Sequence, residues 1–199
     1  DDPNVLGQIV VQAALDVGIR ISLLQGVYIK GGFDQDIEEH QLRFADKNVD
    51  AACDRFDKLV TSLLKRRDPR VAWGVAAHSL RAVPFDSMMS LKLRLAHMPF
   101  HVHIAEQPAE VEGCLRKYGK RPVQLLADKE LFDGCSTLVH ATHVDASEIA
   151  AIAKLGALVC VCPSTEADLG DGLVPAEDMY NAGVQLCLGT DGQIGRAHV

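Results

Sequence analysis

Short apolar runs alternate with helix-like segments along the chain, and this alternation restricts the fold more than any other feature. The runs cover residues 19–27, 71–77, 100–105, 137–140, 157–162 and 184–189. Taken together they are largely apolar rather than apolar at every second position, the pattern of strands covered on both faces. Residues 5–17 have helical apolar spacing and stop at Gly18. Asp145-Ala-Ser-Glu148 reads as a helix N-cap with a carboxylate three residues on, followed by an apolar stripe to Leu155 and a stop at Gly156. Pro122 and Pro175 sit where a first helical turn tolerates proline, and Gly183 stops the last helix. The repeat is roughly 30 residues, the size of a strand–helix unit. A parallel α/β fold follows, as a doubly wound sheet or a (β/α)8 barrel.

The positions of the polar residues decide between the two. His78 follows the second run, His103 and Glu106 bracket the end of the third, and His140 closes the fourth. Pro163-Ser164-Thr165 follows the fifth run and Asp191 the sixth. An open sheet gathers its site at one switch point, whereas a barrel collects residues from many strand ends onto one face. The barrel is therefore expected. No Gly-x-Gly-x-x-Gly follows a strand to favour dinucleotide binding.

Net charge is −7, so the basic stripe of a nucleic-acid binder is missing. No apolar run approaches the roughly 20 residues of a membrane span, and no signal peptide opens the chain. Six cysteines occur without a Cys-x-x-Cys pair. They read as free buried thiols in a reducing cytoplasm. The expected partner is a small-molecule substrate, with neither nucleic acid nor membrane, and a homodimer is one arrangement open to a full-length parent. The missing initiator Met suggests a truncated N-terminus.

His101-Val-His103 places two imidazoles on one strand face. Glu106 follows three residues later. Neutral imidazole suits Zn2+, and a carboxylate beside an activated water can take and return its proton. His140-Ala-Thr-His143 ends the next run, with His143 the weaker candidate, suited to fixing a loop. Asp191 reads as a metal ligand and general base, or as a turn residue. In His78-Ser-Leu-Arg81 the guanidinium offers a planar fork for a carboxylate, or a surface ion pair. The loop from Cys162-Pro-Ser-Thr-Glu166 to Asp168-Leu-Gly-Asp-Gly172 reads as a structural turn with one substrate contact. His40 and His97 read as surface residues.

In this order the motifs resemble the deaminase branch of the amidohydrolase superfamily. The longer strings Gly31-Gly32-Phe33, Ala77-His-Ser-Leu-Arg-Ala-Val83, His101-Val-His-Ile-Ala-Glu-Gln107, Leu138-Val-His-Ala-Thr-His143 and Cys162-Pro-Ser-Thr-Glu-Ala-Asp-Leu-Gly-Asp-Gly172 resemble the formimidoylglutamate deiminases of histidine degradation. That resemblance implies a hydrolase acting on a non-peptide C–N bond. It would convert N-formimidoyl-L-glutamate to N-formyl-L-glutamate and ammonia. It also implies one Zn2+ held by His103 and Asp191, proton transfer by Glu106, orientation of water by His140, and substrate binding by His78 and Arg81. Asp191 would serve in catalysis as well as metal binding.

By the same resemblance, residues 1–192 form an incomplete (β/α)8 barrel with the third to eighth strands present. The family's first-strand His-x-His pair then lies outside the chain, and the 199-residue chain by itself is expected to be inactive. Asp168 and Gly192 stand where the family usually has Asn and Ser. Residues 193–199 are expected to be a non-native tail, because residues 194–199 read like a translated sequencing adapter. Two other readings stay open: a deaminase of the same branch acting on a purine, pterin or triazine ring, and a catalytically inactive barrel fragment.

Overall fold

The computed structural model describes residues 2–192, and the expected tail at 193–199 lies outside the described residues. The chain divides into two compact units, the first built from residues up to His78 together with Ala82–Phe100.

In that unit α1 (Val5–Asp16) leads to β1 (Ile21–Val27), a 3-10 turn (Glu39–Phe44), α2 (Val49–Leu64), β2 (Val71–Ala77) and α3 (Phe85–Arg94). β1 and β2 pair in parallel, with Ile21 opposite Val71 and Val27 opposite Ala77. Parallel neighbours need a long crossover, and α2 supplies it. α2 starts where the Asn48 side chain accepts the Ala51 N–H, and Phe56, Leu59 and Leu63 recur at helical spacing on its buried face. Val11, Leu59, Leu63 and Val71 form a core closed by Leu15, Ile21, Leu23 and Trp73. Gly74 sits mid-strand because a Cβ there would lie 2.4 Å from the Pro99 carbonyl oxygen.

The second unit joins Ser79–Arg81 to the chain from His101 onward. It contains β3 (Phe100–Ile104) beyond its first residue, α4 (Pro108–Tyr118), α5 (Pro122–Ala127), β4 (Ser136–His140), α6 (Ala146–Leu155), β5 (Leu158–Val161), α7 (Pro163–Leu169), α8 (Ala176–Asn181) and β6 (Gln185–Leu188). Strand order here follows chain order, β3-β4-β5-β6. β4 pairs β5 in parallel and β5 pairs β6 in parallel. Helices α4, α5 and α7 open on proline, and α4, α6 and α7 end at the left-handed glycines Gly119, Gly156 and Gly170.

The Asp145–Glu148 capping box forms as expected. Glu148, fully buried, does more: it accepts the Arg121 Nε–H at 2.7 Å and the N–H groups of Val123, Gln124 and Asp145. One carboxylate thus serves the starts of both α5 and α6.

All six apolar runs are strands, shortened by a residue or two at several ends. Three details differ from the sequence reading. Pro175 is the N-cap of α8 rather than a residue of its first turn. β6 is not covered on both faces, since Leu188 is 80% exposed. Of the six free cysteines, Cys135 is exposed and Cys160 and Cys187 are half-buried. Among the described residues no helix is long and apolar enough to cross a membrane.

Candidate metal-dependent reaction centre

The second unit brings the ends of β3, β4 and β6 together with Arg81. His103 is on β3, His140 closes β4, and Asp191 follows β6 after Gly189-Thr190. The backbone at these ends is unusual. Ala105, His140, Ala141 and Asp191 all have left-handed φ, from +48° to +71°. Non-glycine residues in this region cost of order 1–3 kcal/mol each, and persist only where surrounding structure fixes them. Here hydrogen bonds do so: the Ala141 N–H donates to the Ile104 carbonyl and the His143 N–H to the Ala105 carbonyl. Thr165 Oγ1 donates to the Thr190 carbonyl beside Asp191.

His140 is the hub. Its ring is 1% exposed. Nε2 lies 3.5 Å from Glu106 Oε1 and 3.8 Å from Asp191 Oδ2. The ring stacks on His103 with centroids 5.6 Å apart, and His103 Nε2 is 3.9 Å from Asp191 Oδ1. One donor atom each from His103, His140 and Asp191 lies within 4.8 Å of the others. These gaps exceed hydrogen-bond length. Two ligands each about 2.0–2.2 Å from a tetrahedral Zn2+ sit roughly 3.4 Å apart. Two imidazoles and a carboxylate at slightly wider spacing therefore suit such a cation, in chemistry and in scale.

Arg81 Nη2 approaches Glu106 Oε2 at 3.4 Å. The Glu106 N–H donates to Oε2 of Glu110 at 3.2 Å. Burial pushes the Glu110 carboxyl up to about 7, against opposing pulls from Arg81 and the N–H groups of Glu106 and Ala105; Glu106 adds to the rise. His101, one turn of the pleat from His103, is held below the usual imidazole range by burial and then by the neighbouring His103. It is half-buried.

On the opposite side of His140, Nδ1 lies 3.2 Å from Glu166 Oε1, which also accepts the Cys162 N–H at 2.8 Å. His143 is tied to the loop instead: its Nε2 lies 2.7 Å from the Asp171 carbonyl, which can only accept, so Nε2 carries the proton. A Cβ on Gly189 would fall 2.8 Å from Cys160 Sγ and 3.0 Å from Cys162 Sγ, so only glycine leaves room for both thiols. Burial raises the pKa of both thiols and keeps them protonated.

Of the residues singled out in the sequence, His103, Glu106, His140, Asp191 and Arg81 come together in this one unit. His78 belongs to the first unit, where its ring meets Tyr28 edge-on at 4.9 Å and its N–H donates to Val27. Glu110 and Glu166 escaped the sequence reading. Both are carboxylates five or six residues past a strand end, in the first turn of the following helix.

Imidazoles and carboxylates gathered at successive ends of parallel strands define a metal-site layout on a barrel scaffold. The amidohydrolase family model matches residues 5–198, and the chain belongs to that family. It is 38% identical to the formimidoylglutamate deiminase of Pseudomonas aeruginosa over 200 positions, 97% of this chain and 42% of that protein. It is 32% identical to a 5-methylthioadenosine/S-adenosylhomocysteine deaminase of Halobacterium salinarum, over 92% of this chain and 40% of that one. The crystal structure of an amidohydrolase from Brucella melitensis superimposes with a TM-score of 0.82 at 37% identity, covering 93% of this chain and 41% of that one. The fold is thus part of the α/β barrel that the motifs implied. The chain spans about two fifths of the length of the curated relatives it matches.

Proposed function

We propose that the protein containing this chain is a metal-dependent deaminase that hydrolyses N-formimidoyl-L-glutamate to N-formyl-L-glutamate and ammonia. The observation that supports this reading is the placing of Arg81 beside Glu106, at the centre formed with His103, His140 and Asp191. A deaminase for a neutral ring has no need of a guanidinium at that position. A flexible dicarboxylate substrate needs a fixed cation. The 38% identity to the Pseudomonas aeruginosa protein supports the same substrate.

His103 and Asp191 would hold one divalent cation, Zn2+ by its preference for this donor set. When bound, such a cation supplies Lewis acidity and lets water act as a nucleophile near neutral pH. Glu106 takes a proton from the attacking water and returns it to the leaving nitrogen, so that the C–N bond breaks and ammonia departs. His140 orients the reacting carbon and water through Nε2. Arg81 grips a carboxylate of the glutamate part of the substrate.

The test is ammonia release by the full-length protein with N-formimidoyl-L-glutamate and with 5-methylthioadenosine. The expected result is turnover of the first only. Glu106→Gln should lower kcat by at least about 10²–10⁴-fold while the metal is retained. Normal turnover in Glu106→Gln would remove the proton-transfer role. Turnover of the nucleoside alone would favour the purine-type relative as the guide.

A further inference from the structure

Glu166 is 4% exposed and lies on α7, whose N-cap is Cys162. Its backbone is fixed at both ends: the Glu166 N–H donates to the Cys162 carbonyl, and the Asp171 N–H donates to the Glu166 carbonyl. Its side chain reaches back to the cap, where Oε1 accepts the Cys162 N–H at 2.8 Å and meets His140 Nδ1 at 3.2 Å. A carboxylate only accepts, so Nδ1 must carry the hydrogen. A neutral imidazole has one N–H. The lone pair of His140 is therefore on Nε2, the atom facing Glu106 and Asp191.

The alternative use of this cluster is a second metal site, since His140, Cys162 and Glu166 each offer a donor within 4.8 Å of the others. One observation opposes it: Glu166 Oε1 is already engaged by the Cys162 N–H at 2.8 Å and by His140 Nδ1 at 3.2 Å.

We propose that Glu166 is a positioning residue, which locks the His140 ring and its Nδ1–H tautomer so that the Nε2 lone pair faces the reaction centre. This rests on the reading of His140 as part of that centre, yet its structural half stands apart from any substrate. Among the described residues, the His140 ring has contacts of 3.5–3.8 Å at Nε2 and its one closer directional partner is Glu166. Orientation of a histidine through its second nitrogen fixes both tautomer and basicity.

The experiment is histidine 15N NMR of the intact protein, with the His140 signals assigned by their loss in His140→Gln. In the wild type, His140 should show a protonated Nδ1 and an unprotonated Nε2. Glu166→Leu removes the acceptor and should populate the Nε2–H tautomer. Glu166→Gln keeps an acceptor and should hold the fold, with a displaced Nδ1 resonance. In the kinetic arm, Glu166→Gln should lower kcat by about 10–100-fold and leave KM nearly unchanged.

An Nε2–H tautomer in the wild type overturns the proposal. So does an unchanged His140 signal in Glu166→Gln, which decides the matter if Glu166→Leu does not fold. Cobalt titration giving a thiolate-to-metal band that Cys162→Ser abolishes would instead assign the cluster to metal binding and overturn it as well. If the tautomer is as stated but N-formimidoyl-L-glutamate is not turned over, the substrate assignment fails and the positioning role stands.

Discussion

Glu110 is 2% exposed beside the loop that presents Glu106, and its Oε1 finds no partner among the described residues. Its carboxyl, pushed up to about 7 by burial, binds a proton more tightly folded than unfolded. The sign of the pH effect follows. The stabilising contribution is complete below the unfolded pKa of about 4.5 and is lost as pH rises through about 7. The loss amounts to about 3 kcal/mol, at 1.36 kcal/mol per pKa unit. Glu110→Gln, which cannot ionise, should therefore gain stability relative to wild type between pH 5 and pH 8, by about 2–3 kcal/mol in urea denaturation. Parallel pH curves for the two proteins would show that Glu110 is not the titrating group. At this scale the sequence displayed His103, Glu106, His140 and Asp191 because each terminates an apolar run. It concealed Glu166, whose meaning depends on an imidazole 26 residues away, and Glu110, which looks like any acidic residue in a first helical turn.

At the scale of elements, the apolar runs were enough to locate the strands among the described residues, because strands covered on both faces carry mostly apolar side chains. β6 departs from that rule in its exposure, since it is the last strand of the described sheet and Leu186 and Leu188 meet no further neighbour there. The helix starts were legible where a local cap made them, as at Asp145. The joint between α5 and α6 was not, because Glu148 reaches Arg121, Val123 and Gln124 across the chain. That joint should be costly to remove. Glu148→Ala leaves three backbone N–H groups without their acceptor, while Arg121 keeps Asp145 and the His143 carbonyl. It should lower unfolding free energy by about 2–4 kcal/mol, on the scale of leaving buried donors unsatisfied, in chemical denaturation. A loss below 1 kcal/mol would mean that water replaces the carboxylate.

Across the whole molecule, the groups proposed to hold metal all belong to the second unit, while His78 belongs to the first. Metal linkage should therefore be uneven. Anything that binds only the folded state stabilises by about 2.7 kcal/mol at 100 times its dissociation constant. Added Zn2+ should slow amide exchange at residues 101–106, 138–143 and 186–191 and leave β1 and β2 unchanged. Equal protection in both units, or protection lost in neither His103→Gln nor Asp191→Asn, would argue against this donor set. The division also bears on what the sequence allowed. A site assembled from successive strand ends of one unit follows chain order and can be read along it.

The crowding of Gly189 against the Cys160 and Cys162 sulfurs has a practical use. While β5 and β6 stay paired, burial raises the pKa of both thiols and so slows their reaction. Their reaction with a maleimide is then a clock for the opening of the strand pair that leads to Asp191. Exposed Cys135 labels in every state and provides the time zero. The chain contains its own reporter of how often the strand edge that leads to Asp191 comes apart.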